Sequence, residues 1–298
     1  MKNTKYSEDE VAIGFVFKLL REAKGFSQEE AAGNEISVPQ LSNFENGKTI
    51  LVTHHFIAIL NNINVDMFEF QNTYNQYLGS KDVLLFSTKV SDAIMTQNIV
   101  QLELLAKQVE DSLLLKPSNK KLKLDNIRIK SVLYFVDPTY SITGDELNFL
   151  INYLCGLKEW GMYDIRLFGQ CAQFIDILKL ADLVTRMTAP MQANSELHHI
   201  KLAIIQCVLN VINVFVNAKM FEHARRLIKY LEDSKIHEYF MFEKLTLIYN
   251  RANYSYRKGD KKALEAMKEC LEVLKFCDCV NTANIVEKEI SGLEHEKK

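Results

Sequence analysis

Proline and glycine are scarce in this chain, with four and eleven among 298 residues. Turns draw on these residues, so their shortage excludes a sandwich or barrel of many short strands and points to long helices. An excess of basic charge is also missing. The net charge is −2, and the first 72 residues carry six Lys/Arg against ten Asp/Glu. Binding of a polyanion through bulk positive charge is thereby excluded, and any contact with nucleic acid has to rest on the placement of individual side chains.

Cysteine does not occur before Cys155, and the six present lack the spacing of a disulfide or zinc framework. Cys277-x-Cys279 is too tight for a zinc knuckle and no second Cys/His pair answers it, so the cysteines read as small buried apolar residues in a reducing compartment. The N-terminus is polar and acidic rather than a leader, and the most apolar stretch, Leu202 to Val216, is too short and amide-rich to span a bilayer. A cytoplasmic protein with no membrane partner is expected. Gly-rich phosphate loops, a G-x-S-x-G elbow and H-E-x-x-H are all absent. His54-His55 and His198-His199 are adjacent pairs whose side chains diverge on a helix, so they are poor ligand pairs. No catalysis, cofactor or metal site is expected.

What remains is an ordinary globular composition, 48% hydrophobic and 25% charged, in a chain long enough for two domains. Near the N-terminus, Ser7…Glu10, Ser27…Glu30, Ser37…Gln40 and Asp66…Glu69 have capping-box spacing, and Thr53 is a further cap. With Gly25, Gly33-Asn34 and Gly47 as stops, they predict helices near 8–24, 28–33, 38–46, 54–62 and 67–77. The second and third are joined by Gly33-Asn34-Glu35-Ile36, which is a helix-turn-helix arrangement. The third shows a narrow face of short polar side chains, Gln40, Ser42 and Asn43, beside only Leu41 and Phe44. Such a face suits contact with a partner better than packing.

Gly25-Phe26-Ser27-Gln28-Glu29-Glu30 followed by Gln40-Leu41-Ser42-Asn43-Phe44-Glu45-Asn46-Gly47-Lys48 resembles the helix-turn-helix of phage repressors and their relatives. The resemblance implies that Ser37, Val38, Gln40 and Asn43 lie at base edges, where amides pair with adenine. It implies that Gln28, Asn46 and Lys48 hold the phosphate backbone, and that Arg21 and Glu45 join the first helix to the recognition helix.

Domain boundaries are expected at 1–75 for this unit, 76–82 for a linker around Gly79-Ser80-Lys81, and 83–298 for the rest. Beyond the linker the apolar spacing is helical throughout, near 81–95, 98–114, 120–136, 144–157, 162–178, 180–189, 196–217, 220–233, 237–257, 260–276 and 279–293. Polar residues repeat along it. Arg166, Gln170 and Gln173 lie 40 residues before Gln206, Asn210 and Asn213, which lie 40 before Thr246, Asn250 and Asn253. Asn217 and Arg257 continue the second and third rows.

A 40-residue period with two helices per unit indicates a tetratricopeptide-like solenoid, so the fold expected is all-α, a five-helix repressor-type domain followed by a helical repeat. Each row falls on one helix face, and no charge interrupts the chain between Lys201 and Lys219. Amides offer donors and acceptors without the desolvation cost of a charge, which suits a groove that receives a peptide backbone. Apolar pockets for its side chains would come from Phe174, Val214 and Tyr254.

The combination, with Trp160-Gly161-Met162-Tyr163-Asp164-Ile165-Arg166-Leu167-Phe168, resembles the Rgg (Rgg/GadR/MutR) family of Gram-positive transcription regulators. That resemblance implies a homodimer, binding of double-stranded promoter DNA and a repeat domain that senses a short hydrophobic signalling peptide after import. A regulator whose groove takes a small metabolite and a protein-interaction scaffold are the alternatives.

Overall fold

The computed structural model describes residues 7–78, 89–90, 92–93, 96, 98–134, 137, 139–189 and 197–295. Every regular element among them is helical. The chain divides into two compact units, residues 1–98 and 99–298.

The first unit holds α1 (Glu8–Ala23), α2 (Gln28–Ala32), α3 (Val38–Glu45), α4 (Thr53–Asn62) and α5 (Met67–Leu78). Ser7 and Ser27 each accept from the backbone N–H three residues on, while Glu10 and Glu30 reach back, which closes both capping boxes. Ser37 accepts from the Gln40 N–H with Pro39 in the first turn, but the Gln40 side chain does not return the bond. Thr53 is the first helical residue of α4 rather than its cap; Val52 holds the cap position and supplies no side-chain oxygen. The core is Val16, Phe17, Leu20, Ala31, Leu41, Phe44, Ile59, Leu60, Ile63 and Phe70. Gly14 lets α3 lie against α1, because a Cβ there would run into the Phe44 carbonyl. Gly47 closes α3 at φ +66, a left-handed turn pressed on Val11.

The expected boundary after residue 75 falls inside the last turn of α5. Gly79, Ser80 and Lys81, around which the linker was placed, lie outside the described residues, as does most of the helix expected over 81–95.

The second unit contains α6 (Ile99–Leu115), α7 (Lys120–Leu133), α8 (Gly144–Gly156), α9 (Met162–Cys171), α10 (Ile177–Met187), α11 (His198–Asn217), α12 (Phe221–Asp233), α13 (Met241–Arg257), α14 (Ala263–Phe276) and α15 (Val280–His295). The order of packing is that of a solenoid. Helices α7, α9, α11 and α13 touch in succession, and α8, α10, α12 and α14 each pack on the helix just before in the chain or just after. The expected helix over 162–178 breaks at Cys171 into a 3-10 turn, Ala172–Phe174, because Asp176 caps the next helix through the N–H groups of Leu178 and Lys179.

The centre of this unit is α11. By length and composition it could cross a membrane, with 20 residues and a mean hydropathy of 1.8 over an 18-residue window, so the expectation that this stretch is too short is corrected. Its apolar residues, among them Ile204, Val208, Ile212 and Phe215, are instead the core that α9, α10, α12 and α13 enclose. Trp160 is buried with its ring on Phe168, and Asp164 accepts both the Gly161 N–H and the Tyr153 hydroxyl, so the Trp-Gly-Met-Tyr-Asp stretch anchors the start of α9.

Candidate functional site

Two surfaces carry the side chains singled out above. On the first unit, α3 presents Ser37, Val38, Gln40, Asn43 and Asn46 to solvent, with Lys48 exposed just beyond. Leu41, Phe44 and Glu45 face inward and are buried. The orientation of α3 is fixed by Arg21 on α1. Its Nε donates to Glu45 Oε1 at 2.6 Å, its Nη2 to Glu45 Oε2 at 3.0 Å and its Nη1 to the Phe26 carbonyl at 2.8 Å. The hydrogen bonds to Glu45 raise the Arg21 guanidinium above its ordinary value, against burial.

Gln28 is half-buried, and its Nε2 donates to Glu45 Oε2 at 2.7 Å. One of the two N–H donors of this amide is thus used on the ion pair, which ties Gln28 to α3, and the second is left for a phosphate. Asn46 spends its Nδ2 on the Ser42 carbonyl at 2.7 Å while remaining exposed. Among the described residues, the side-chain amides of Gln40 and Asn43 and the ammonium of Lys48 make no hydrogen bond within the chain.

On the second unit the three rows do not share one environment. Arg166, Gln173, Gln206, Asn210, Asn213 and Asn217 are exposed on the α9 and α11 side, and Gln170 is half-buried. Asn250 and Asn253 are buried, at 4% and 1% exposure, and do not join that surface. Their amides are used between helices: Asn250 Nδ2 donates to the Leu209 carbonyl at 3.0 Å and Asn253 Nδ2 to Glu289 Oε1 at 2.9 Å. Arg257 is tied to Asn253 and lies 4.0 Å from Glu289. The expected third row is thus an internal brace of α13 against α11 and α15. Of the expected pockets, Phe174, Val214 and Tyr254 are only partly buried, with Val214 and Tyr254 packed on the core and the Phe174 ring edge-on to Tyr134.

Asn210 stands to Gly169 as Asn250 stands to Leu209, since its Nδ2 points at the Gly169 carbonyl, but at 3.5 Å and in the open. Gln206 donates to Glu243 Oε1 at 2.9 Å, and Asn217 to Asn213 at 3.3 Å.

Sequence reading missed the charges behind the amides. Arg128, 3% exposed on α7, donates from Nε to Gln170 Oε1 at 2.8 Å, and burial holds its guanidinium below the ordinary value, with Arg166 adding repulsion. Asp125 is buried between Lys121 and the Tyr163 hydroxyl, and burial followed by that carboxylate drives the Tyr163 phenol up. The 40-residue rhythm, extended one repeat to either side, leads to the neighbourhoods of Arg128 and Glu289.

Residues 104–288 match the family described as HTH-type transcriptional regulator Rgg, C-terminal domain. Among solved structures, the SHP pheromone receptor Rgg2 of Streptococcus dysgalactiae is similar over 94% of this chain and 99% of its own, with 22% identity and a TM-score of 0.76. The PrgX/cCF10 complex is similar over 95% of this chain and 92% of its own, with 14% identity and a TM-score of 0.69. A bacterial peptide pheromone/receptor complex is similar over 95% of this chain and 98% of its own, with 14% identity and a TM-score of 0.68. At these identities the likeness establishes the fold.

Proposed function

Because the chain belongs to the Rgg family of HTH-type transcriptional regulators, we propose that it binds promoter DNA as a cytoplasmic homodimer and is controlled by a short apolar peptide seated on the α9 and α11 amides. Catalysis has no part in this reading. The first unit meets DNA through the exposed face of α3, with Gln40 and Asn43 at base edges beside Val38 and Ser37, and Asn46 and Lys48 at the backbone. Two half-sites compensate for the acidic balance of one domain.

The observation that carries the peptide reading is the exposed run Gln206, Asn210, Asn213 and Asn217 on a helix whose other residues from Leu202 to Val216 are apolar and buried or half-buried. A solvated face would carry Lys and Glu; four neutral amides in a line match the N–H and C=O groups of an extended chain. Support also comes from the similar structures, two of which are described as complexes with a peptide pheromone or with cCF10. A mobility shift on DNA upstream of the protein's own coding sequence, with and without spent growth medium, tests both halves. No shift of that DNA rejects the regulator reading, and a shift indifferent to medium and to Asn210→Ala/Asn213→Ala rejects the peptide.

A further inference from the structure

The first unit holds a cavity of about 460 Å³ between α1, α4, α5 and the turn that leaves α3. Its volume falls within the range of small-molecule sites, about 300–1,000 Å³. Four rings line it: Phe44 from α3, Phe56 from α4, and Phe70 and Tyr74 from α5. They form one chain of ring contacts. Phe56 lies edge to face with Phe44 at 6.0 Å and with Phe70 at 4.8 Å, and Phe70 stacks on Tyr74 at 6.0 Å. Ile50 and Met67 also line the cavity and are each 50% exposed, so it opens to solvent.

The charge of the lining has one sign. Among the described residues Glu10 on α1 is its single ionisable carboxylate, no Lys or Arg takes part, and Thr53 and Gln71 are neutral. Ser7 donates its backbone N–H and its hydroxyl to Glu10 Oε2, at 2.8 and 3.0 Å, and these bonds hold the carboxyl below its ordinary value. Glu10 is therefore an anion at neutral pH. Its Oε1 makes no hydrogen bond or ion pair among the described residues. Aromatic rings attract a cation through their quadrupole, and a carboxylate beside them adds to that attraction while repelling an anion. Rings with one acid and no base are the chemistry that selects an organic cation.

We propose that this cavity binds a small organic cation of apolar or aromatic body, its charge beside Glu10 and its body among Phe44, Phe56, Phe70 and Tyr74. The site goes beyond the peptide reading, since it lies within the first unit and shares no residue with the amide rows. Phe44 belongs to α3, so an occupant rests against the helix proposed to read DNA.

Calorimetry of the full chain with tetraphenylphosphonium and tetraphenylborate tests it, because the two ions share a shape and differ in the sign of their charge. Tetraphenylphosphonium should bind about tenfold or more tightly than the borate, and should shift the methyl resonances of Ile50 and Met67. Glu10→Gln keeps the capping box, because Gln also serves at that position. It should weaken the cation about threefold or more and narrow the preference between the two ions. Met67→Arg, at an exposed position, places a positive charge at the mouth and should weaken the cation about tenfold or more. The absence of binding at about 1 mM tetraphenylphosphonium overturns the proposal. Equal affinity for the two ions, unmoved Ile50 and Met67 methyl groups, or an affinity unchanged in Glu10→Gln overturns it as well.

Discussion

Arg21 and Glu45 form a two-bond ion pair between α1 and the helix proposed to read DNA, at 2.6 and 3.0 Å, with both side chains almost fully buried. Two charges taken from water are costly unless each is fully met, and here Phe26 and Gln28 supply the remaining bonds. Arg21→Met should therefore strand the Glu45 carboxylate with Gln28 as its remaining partner of those shown, and destabilise the first unit by about 3–5 kcal/mol. Urea denaturation of the full chain measures this. A loss below about 1 kcal/mol, the size expected of an exposed pair, would show that the ion pair does not hold α3.

The split among the amides yields a paired expectation. Asn250 and Asn253 are buried and bonded, so Asn250→Ala or Asn253→Ala should cost about 1–3 kcal/mol of stability by stranding the Leu209 and Glu289 acceptors. Asn213 is exposed, so Asn213→Ala should stay within about 0.5 kcal/mol of wild type in stability. The same change should abolish the response to peptide while basal DNA binding persists. Calorimetric melting and mobility shift together separate the two classes. A large stability loss in Asn213→Ala would move it from the site to the brace.

Local signals were the legible part of the chain. Ser7 with Glu10 and Ser27 with Glu30 form their boxes because every participant lies within one turn, and no tertiary contact is needed to place them. The Arg21–Glu45 pair, 24 residues apart, was reached only through resemblance to proteins that use it. The 40-residue rhythm correctly put Asn210 and Asn250 at equivalent places, each aimed at a backbone carbonyl 41 residues earlier. Periodicity assigns a residue to a helix face but not to an exposure. Whether that face is open depends on the next helix in the stack, and α15 brings Glu289 onto Asn253, whereas nothing comparable among the described residues covers Asn213. Arg128 and Asp125 stayed hidden for a different reason. Charged residues on a lysine-rich helix read as surface, and only the fold shows them buried against α9.

Acid should weaken the start of α8. Glu146 is pushed up by burial, but the Lys130 ammonium and the Thr143 N–H and hydroxyl outweigh this and hold it below the usual carboxylate value. A carboxylate depressed in the folded state contributes stability that is fully present above its unfolded pKa. That contribution is lost as pH falls from about 4.5 through the lower folded value. Glu146→Gln should lower stability at neutral pH and flatten its decline in this window, as read from melting temperature between about pH 6 and 3. An unchanged slope in the variant would assign the acid sensitivity to other carboxylates.

The proposed DNA face would separate reading from holding. Asn43 is exposed on α3, and no hydrogen bond within the chain occupies its side chain among the described residues. Its amide can therefore meet adenine N6 and N7 directly, and Asn43→Ala should cost about 1–3 kcal/mol at the specific site and little on random DNA. Lys48 offers only a point charge, so Lys48→Ala should weaken both and reduce the salt slope by about one phosphate contact. Gln28 provides the control. Its Nε2 is bonded to Glu45, so Gln28→Ala should act mainly through the placement of α3 and lower stability as well as affinity, whereas Asn43→Ala should leave stability alone. Titrations of specific and random duplexes at several salt concentrations, beside urea melts, distinguish the three. Equal losses on both DNAs for Asn43→Ala would remove it from base reading, and a stable Gln28→Ala with a lower salt slope would return Gln28 to the phosphate backbone.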